Sequence, residues 1–155
     1  MARVKSFIYP VSFGVDSKGD MNSCALRSYA YVTGTSYEKT QEIFESKGRK
    51  RNEGTFNTIS HESAIEAGLL CMGRFGNGAK KDNFSYWCQR DKPISERYVP
   101  DQRGMTLKTF CEKFNKGKYM VMIKGHMTVV HDGKIVDSFA QRGNAAVITA
   151  YRKPE

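Results

Sequence analysis

The sequence predicts an α+β fold, with helices in the N-terminal half packed on an antiparallel sheet formed by the C-terminal residues. Helical periodicity and cap residues are concentrated before Gly68, whereas runs rich in Val, Ile, Thr and aromatics follow Gly117. Helices and strands do not alternate as they do in βαβ units, so a parallel sheet is not expected. At 155 residues, one domain spanning 1–155 can bury a core without metal or disulfides.

Cap residues delimit the first two helices. The first is expected over Ser23–Thr33, with Asn22 or Ser23 as its N-cap and Gly34 as its end. The second is expected to begin at the capping box Thr35-Ser36-Tyr37-Glu38 and to run to about Lys47.

Two further helices are expected, one on each side of an irregular stretch. The third runs from about Thr58 to Ala67, and the fourth is capped by Thr106 and ends near Gly117. Residues 71–104 contain many Gly and Pro residues, so no long regular element is expected there. The first twenty residues suggest an extended arm that runs into a loop.

Four strands are expected after the fourth helix. Their predicted bounds are Tyr119–Ile123, His126–His131, Lys134–Phe139 and Ala145–Tyr151. Asp132-Gly133 between the second and third strands favours a two-residue type I′ hairpin loop. This loop pairs His131 with Lys134, which makes His126 and Asp137 diagonal neighbours on one face of the sheet.

A histidine beside a carboxylate suits general acid–base chemistry, because the carboxylate fixes the imidazole tautomer and stabilises the imidazolium. Cys24 is the candidate nucleophile, since the N-terminal end of a helix and a nearby imidazolium both stabilise thiolate. Each residue also has a structural interpretation. Cys24 could be a small buried residue, His126 a satisfied strand histidine, and Asp137 a turn residue or a partner of a Lys.

The segments Asn22-Ser23-Cys24-Ala25-Leu26-Arg27-Ser28-Tyr29-Ala30, Gly125-His126-Met127-Thr128 and Asp132-Gly133-Lys134-Ile135-Val136-Asp137-Ser138 resemble small papain-like cysteine peptidases of bacteriophages and bacteria. The resemblance covers about residues 20–140 and implies a helix-borne Cys nucleophile packed on an antiparallel sheet that carries the His and the Asp. Carried over, Cys24 is the nucleophile, His126 the general base and Asp137 the orienting carboxylate.

This sequence departs from the superfamily pattern at the residue expected to bind the oxyanion. The superfamily often uses a Gln several residues before the Cys, but position 18 is Lys and no Gln precedes Gln41. Asn22 or the backbone N–H of Cys24 can donate instead, although Asn22 can also be only a helix cap. The implied reaction is acyl transfer, which includes peptide or isopeptide hydrolysis, deamidation, transglutamination and removal of a ubiquitin-like modifier.

Other reactive or aromatic residues have simpler interpretations. His61 is expected on a solvated helix face, His131 is expected to point away from the His126 face, and Cys111 is expected in the core. Cys71 and Cys88 fall in the irregular stretch without a predicted partner. Phe84, Tyr86 and Trp87 can line a substrate groove, but core packing is the simpler interpretation.

Cysteine spacing and the length of apolar runs indicate which cofactors and which cellular compartment to expect. The four cysteines form no CxxC pair, so neither a zinc module nor a disulfide framework is indicated, and no cofactor or metal is expected. No apolar run reaches the length of a membrane span, and the N-terminal apolar run is too short for a signal peptide. A cytoplasmic protein is therefore expected, in the host cytoplasm if a phage encodes it.

The formal net charge of +9 allows a second hypothesis. Such an excess can attract nucleic acid, anionic surfaces or acidic proteins, although the dense run Lys47–Arg51 is expected to be a solvated loop and no nucleic-acid motif accompanies it. The first hypothesis is a cysteine peptidase or related acyl-transfer enzyme that acts on a protein or peptide, such as a host protein. The alternative is a non-catalytic basic module on the same scaffold that binds nucleic acid or inhibits a host protein.

Overall fold

The structure, a computed structural model, describes residues 7–8, 19, 22–55, 57–75 and 105–154. Its helices are α1 (Cys24–Thr33), α2 (Tyr37–Ser46), α3 (Asn57–Glu66) and α4 (Leu107–Lys113). Its strands are β1 (Phe7–Ile8), β2 (Leu70–Arg74), β3 (Lys118–Ile123), β4 (His126–His131), β5 (Lys134–Val136), β6 (Gln141–Arg142) and β7 (Val147–Arg152).

Five of these strands form one antiparallel sheet in the order β2-β7-β3-β4-β5, and β1 pairs with β6 separately. The predicted fold class is thereby confirmed at the level of α+β, with N-terminal helices against a mainly C-terminal sheet. The last strand, β7, lies inside the sheet between β2 and β3. The chain must therefore bring residues far apart in sequence together to complete it.

Strand alternation divides the core into two layers. Met120 and Met122 of β3 pack in a cluster with apolar residues of α1, α2 and α3. The alternate residues of the same strand, Tyr119, Val121 and Ile123, pack in a second cluster with Leu107 and Phe110 of α4. Successive side chains of a strand point to opposite faces, so α1–α3 cover one face of the sheet and α4 packs on the other.

The β4–β5 hairpin has the predicted register. Asp132 and Gly133 both have positive φ, at 51° and 78°, as a type I′ turn requires. His131 pairs with Lys134, and Val129 pairs with Val136. The next step along this ladder brings Thr128 level with Asp137, which is the arrangement expected from the sequence.

Several element boundaries differ from the prediction, among them the start of α2 and the ends of α4 and β5. The N-cap of α2 is Ser36, whose side chain accepts a hydrogen bond from the Lys39 N–H, so the capping box placed at Thr35 was wrong by one residue. Helix α4 ends at Lys113, before the predicted end near Gly117. Strand β5 ends at Val136, before the predicted end at Phe139, and the carboxylate of the next residue, Asp137, accepts a hydrogen bond from the Ser138 N–H.

The structure also contains strands that the sequence did not predict. Leu70–Arg74 forms β2 at the start of a stretch expected to be irregular, and β1 pairs with β6. The remainder of the irregular stretch, 76–104, lies outside the described residues, as does most of the N-terminal arm. Within the described part of the chain, no helix is long and apolar enough to cross a membrane.

Candidate active site

Cys24 is the first residue of α1 and is partly exposed. The Arg27 N–H bonds to the Ser23 carbonyl at 2.9 Å, so the helical ladder begins there and the helix supplies no acceptor for the N–H of Cys24. The Ser23 side chain makes no cap bond to these groups. The thiol therefore lies where the positive end of the helix dipole and the N–H groups of the first helical turn favour negative charge.

His126 begins β4, and its Nε2 donates to Asp137 Oδ2 at 2.7 Å. On the other side, the imidazole shares a hydrogen bond with the Cys24 side chain. The turn at Lys124-Gly125 leads into β4. The start of β4 lies against the N-terminal end of α1, where a backbone group of Met127 also bonds to Cys24. The three residues singled out in the sequence thus form one chain of contacts from sulfur to imidazole to carboxylate.

The Asp137 carboxylate is buried, with no exposed side-chain area. Besides His126, the Ser138 N–H donates to its Oδ1 at 2.6 Å, and Gln141 Nε2 donates to its Oδ2 at 3.1 Å. A buried carboxylate is costly unless its lone pairs are satisfied. These donors hold the carboxylate in one orientation and make it a fixed anion behind His126.

The electrostatics favour charge separation between Cys24 and His126. Burial opposes ionisation of Cys24, but the hydrogen bond and positive charge of His126, with backbone groups of Met127 and Ala25, lower the pKa of the thiol. Burial also opposes protonation of His126, but its bonds to Asp137 and Cys24 raise its pKa from 6.5 to about 9. These contacts therefore favour the pair as thiolate and imidazolium over the neutral thiol and imidazole.

The pKa of Asp137 shifts in the direction that supports this pair. Burial raises it, but the hydrogen bond and positive charge of His126, together with the Ser138 N–H, outweigh burial and lower it below its ordinary value. The carboxylate is therefore ionised at neutral pH and stabilises the imidazolium that it contacts. The geometry and all three pKa directions are those that a thiol nucleophile and its acid–base partner require.

A cleft of about 470 Å³ opens on Cys24 and His126. Its walls come from the N-terminal end of α1, the α2–α3 loop, the β3–β4 turn and β7. Phe139, which is 68% exposed, lines the cleft together with Cys24 and His126. A cleft of this size admits a short segment of polypeptide or a small acyl compound.

Asn22 also lines this cleft, two residues before Cys24. It is exposed and has a φ of 56°, a left-handed conformation that Asn tolerates better than most residues. Its Nδ2 donates to the Asn52 carbonyl at 3.0 Å. Because an amide NH₂ has two hydrogens, this anchored side chain keeps a second donor.

The other histidines have partners in the fold. His61 was expected to be solvated, but this was wrong, because it is partly buried and its Nδ1 shares a 2.8 Å hydrogen bond with the buried Tyr151 hydroxyl. His131, at the far end of β4 from His126, shares a 2.7 Å hydrogen bond with the Tyr31 hydroxyl. Both histidines are therefore structural contacts between a helix and the sheet.

Among the remaining cysteines, Cys111 is buried as predicted, and burial raises its pKa to about 11. Cys71 lies in β2, with its sulfur 3.9 Å from the Thr149 hydroxyl, so its expected position in an irregular segment was wrong. Cys88 and the aromatic residues Phe84, Tyr86 and Trp87 lie outside the described residues. In the part of the chain that is described, no three His, Cys, Asp or Glu residues are grouped to hold a metal ion.

The basic run Lys47–Arg51 is only partly a solvated loop. Arg49 is 3% exposed, and its Nε donates to the Glu53 carbonyl at 3.2 Å. Lys47 Nζ pairs with Glu66 at 2.8 Å. Lys50 and Arg51 are exposed, so half of the run's charges face solvent.

Several residues around Cys24, His126 and Asp137 could not be identified from the sequence. Gln141 supports Asp137, Arg27 donates to the Ser138 hydroxyl, and Gly54 and Thr55 bring the α2–α3 loop to the cleft. Gln141 is only four residues from Asp137, but no turn motif marks the pair. The other contacts join distant parts of the chain and carry no local signal.

No family model matches this chain, and no curated protein or solved structure matches it significantly.

Proposed function

We propose that this protein is a papain-like cysteine hydrolase or related thiol acyl-transfer enzyme, with Cys24 as nucleophile, His126 as acid–base residue and Asp137 as orienting carboxylate. One observation carries the proposal: a helix-start thiol of lowered pKa contacts a histidine whose other side is bonded to a buried carboxylate. A structural histidine needs no partly exposed thiol beside it. A structural cysteine needs no imidazole, as the buried Cys111 illustrates.

The reaction begins with attack of the Cys24 thiolate on the carbonyl carbon of an amide or ester, which forms the C–S bond. The His126 imidazolium gives its proton to the leaving amine or alcohol as the acyl C–N or C–O bond breaks. Water then attacks the thioester while neutral His126 takes its proton. The C–S bond breaks, the acid is released, and the thiolate–imidazolium pair is restored.

Two donors beside the thiol are the candidates to bind the oxyanion formed during both attacks. They are the N–H of Cys24, which the helix leaves without an acceptor, and the second amide hydrogen of Asn22. Loss of one such donor typically costs about 10²- to 10³-fold in rate. Asn22 takes the place that a Gln holds in the family that the sequence resembles, and its bond to Asn52 keeps it in position.

The protein or peptide substrate, a host target and a cytoplasmic location remain part of the proposal. The alternative of a non-catalytic basic module has less support, because Lys47 and Arg49 are held within the fold. A nucleic-acid binder would lose affinity steeply with added salt, because each phosphate contact releases counterions.

The test is site-resolved labelling with iodoacetamide, followed by mass spectrometry. Cys24 should react at neutral pH at least about tenfold faster than Cys71 or Cys111, because it is partly exposed and its contact with His126 lowers its pKa. With p-nitrophenyl acetate as a generic acyl donor, the wild type should acetylate Cys24 and release p-nitrophenol in a burst. Cys24→Ala should abolish the burst and keep the wild-type circular dichroism spectrum.

Cys71→Ala is the matched control, since it removes a partly exposed thiol away from His126 and should keep the burst. The proposal is wrong if Cys24 reacts no faster than Cys71 and Cys111. It is also wrong if the burst survives in folded Cys24→Ala.

A further inference from the structure

Arg27 places a cationic side chain in the cleft beside the nucleophile. Residues three apart on a helix are surface neighbours, and both Cys24 and Arg27 line the cleft. The guanidinium is partly buried, and its Nη1 donates to the Ser138 hydroxyl, next to Asp137. Among the described lining residues, Arg27 is the side chain whose positive charge does not depend on pH.

The rim adds further positive charge. Ile123 and Gly125 line the cleft, and the exposed Lys124 lies between them in the β3–β4 turn. The α2–α3 loop carries the exposed Lys50 and Arg51 before it reaches the cleft, against one exposed acid, Glu53. The Asp137 carboxylate lies behind His126, has no exposed side-chain area and does not line the cleft.

We infer that the cleft binds an anionic group next to the carbonyl that Cys24 attacks, and that the substrate is a polypeptide segment with Asp or Glu beside the scissile bond. This rests on the proposed function. A guanidinium offers several N–H donors in a planar fork that matches a carboxylate, and partial burial strengthens the interaction. An acidic peptide suits the site better than nucleic acid does, because a phosphodiester offers no acyl carbon to the thiolate.

The experiment compares alkylation of Cys24 by iodoacetate and by iodoacetamide. Both reagents react with a thiolate by displacing iodide, and they differ chiefly in the negative charge of iodoacetate. The ratio of the two rate constants therefore cancels changes in thiolate content. The ratio reports how strongly the cleft attracts an anionic reagent relative to a neutral one. If Arg27 had a purely structural role, its replacement would leave this ratio unchanged.

Arg27→Gln should lower this ratio by about five- to tenfold, because it removes a unit charge near the reacting sulfur. Arg27→Lys should keep most of it, and the more exposed Lys124→Gln should lower it by about twofold. Lys134→Gln is the matched control. It removes the same charge from an exposed position at the far end of the β4–β5 hairpin from His126, and should leave the ratio unchanged.

An unchanged ratio in both Arg27→Gln and Lys124→Gln would overturn the inference. If Arg27→Gln does not fold, the charge reversal Lys124→Glu in the exposed turn decides the question in the same way. These outcomes are separable from failure of the proposed function. In that case, wild-type Cys24 would react with iodoacetamide no faster than the other cysteines, and both proposals would be wrong.

A second measurement tests the substrate class with a peptide mixture prepared from a bacterial lysate. New termini mapped by mass spectrometry should show Asp or Glu enriched beside the cleaved bond for the wild type, and the enrichment should fall in Arg27→Gln. Cleavage without acidic enrichment would overturn the inference. Protection of Cys24 from iodoacetamide by single-stranded DNA but not by acidic peptides would also overturn it, in favour of a nucleic-acid ligand.

Discussion

Asp137 controls the charge state of the candidate site, although it does not contact the sulfur directly. Its carboxylate is fully buried and held by the backbone and Gln141 as well as by His126. Removing one partner of a buried pair leaves the other charge uncompensated. The raised pKa of His126 therefore depends on this anion, and the lowered pKa of Cys24 depends in turn on the imidazolium.

Asp137→Asn should lower acyl-transfer activity by roughly 10²- to 10⁴-fold, because the imidazolium loses its stabilising anion. The pH profile should change with it. In the wild type, activity should fall as pH rises through about 9, where His126 loses the proton that it gives to the leaving group. In the variant, this fall should move to lower pH, towards the ordinary histidine value of 6.5.

Asp132→Asn provides the control for this measurement. It neutralises an exposed carboxylate in the same hairpin, and Asn-Gly suits a type I′ turn as well as Asp-Gly does. Its activity and the high-pH limb should match the wild type. A high-pH limb that stays near 9 in Asp137→Asn would show that the carboxylate does not set the histidine pKa.

At the scale of elements, local chemistry predicts a turn better than it predicts a helix cap. Asp132-Gly133 allows few backbone conformations, so the type I′ loop and the register of β4 with β5 followed from two residues. At the start of α2, Thr35 and Ser36 are both good caps. The sequence alone therefore did not decide which hydroxyl would be used.

Ser36→Ala should lower the free energy of unfolding by about 1 kcal/mol, because it removes the acceptor of the Lys39 N–H at the start of α2. Thr35→Ala should cost less, since that hydroxyl accepts from Thr33 Oγ1 and does not cap the helix. Urea denaturation of both variants measures the difference. A larger loss in Thr35→Ala would show that the cap lies at Thr35.

At the scale of the whole molecule, the sequence predicted those features that depend on short-range signals. The α+β class, the core position of Cys111 and the diagonal approach of His126 to Asp137 all follow from periodicity, burial tendency or a turn. The sheet order did not follow, because β2 joins β7 across a long separation in the chain. The contact of Asn22 with Asn52 is likewise a tertiary contact without a sequence motif.

The central position of β7 makes the sheet depend on the last part of the described chain. This strand pairs with β2 on one side and β3 on the other, and Val147, Ala150 and Tyr151 are at most 1% exposed. Ala150 packs in the layer shared with α4, whereas Tyr151 packs in the layer shared with α1–α3. Without β7, both core layers lose buried side chains, and β2 loses its partner in the sheet.

Truncation before Val147 should therefore abolish cooperative unfolding, because burial of apolar side chains is the main source of stability and both core layers are opened. Truncation after Lys153 should be tolerated, since it keeps the whole of β7 and the bond from the Lys153 N–H to the Lys118 carbonyl. Urea denaturation followed by circular dichroism, with iodoacetamide labelling of Cys24, measures both variants. A chain that lacks β7 but still unfolds cooperatively and keeps a fast Cys24 would show that the strands β3–β5 and the helices suffice to build the site.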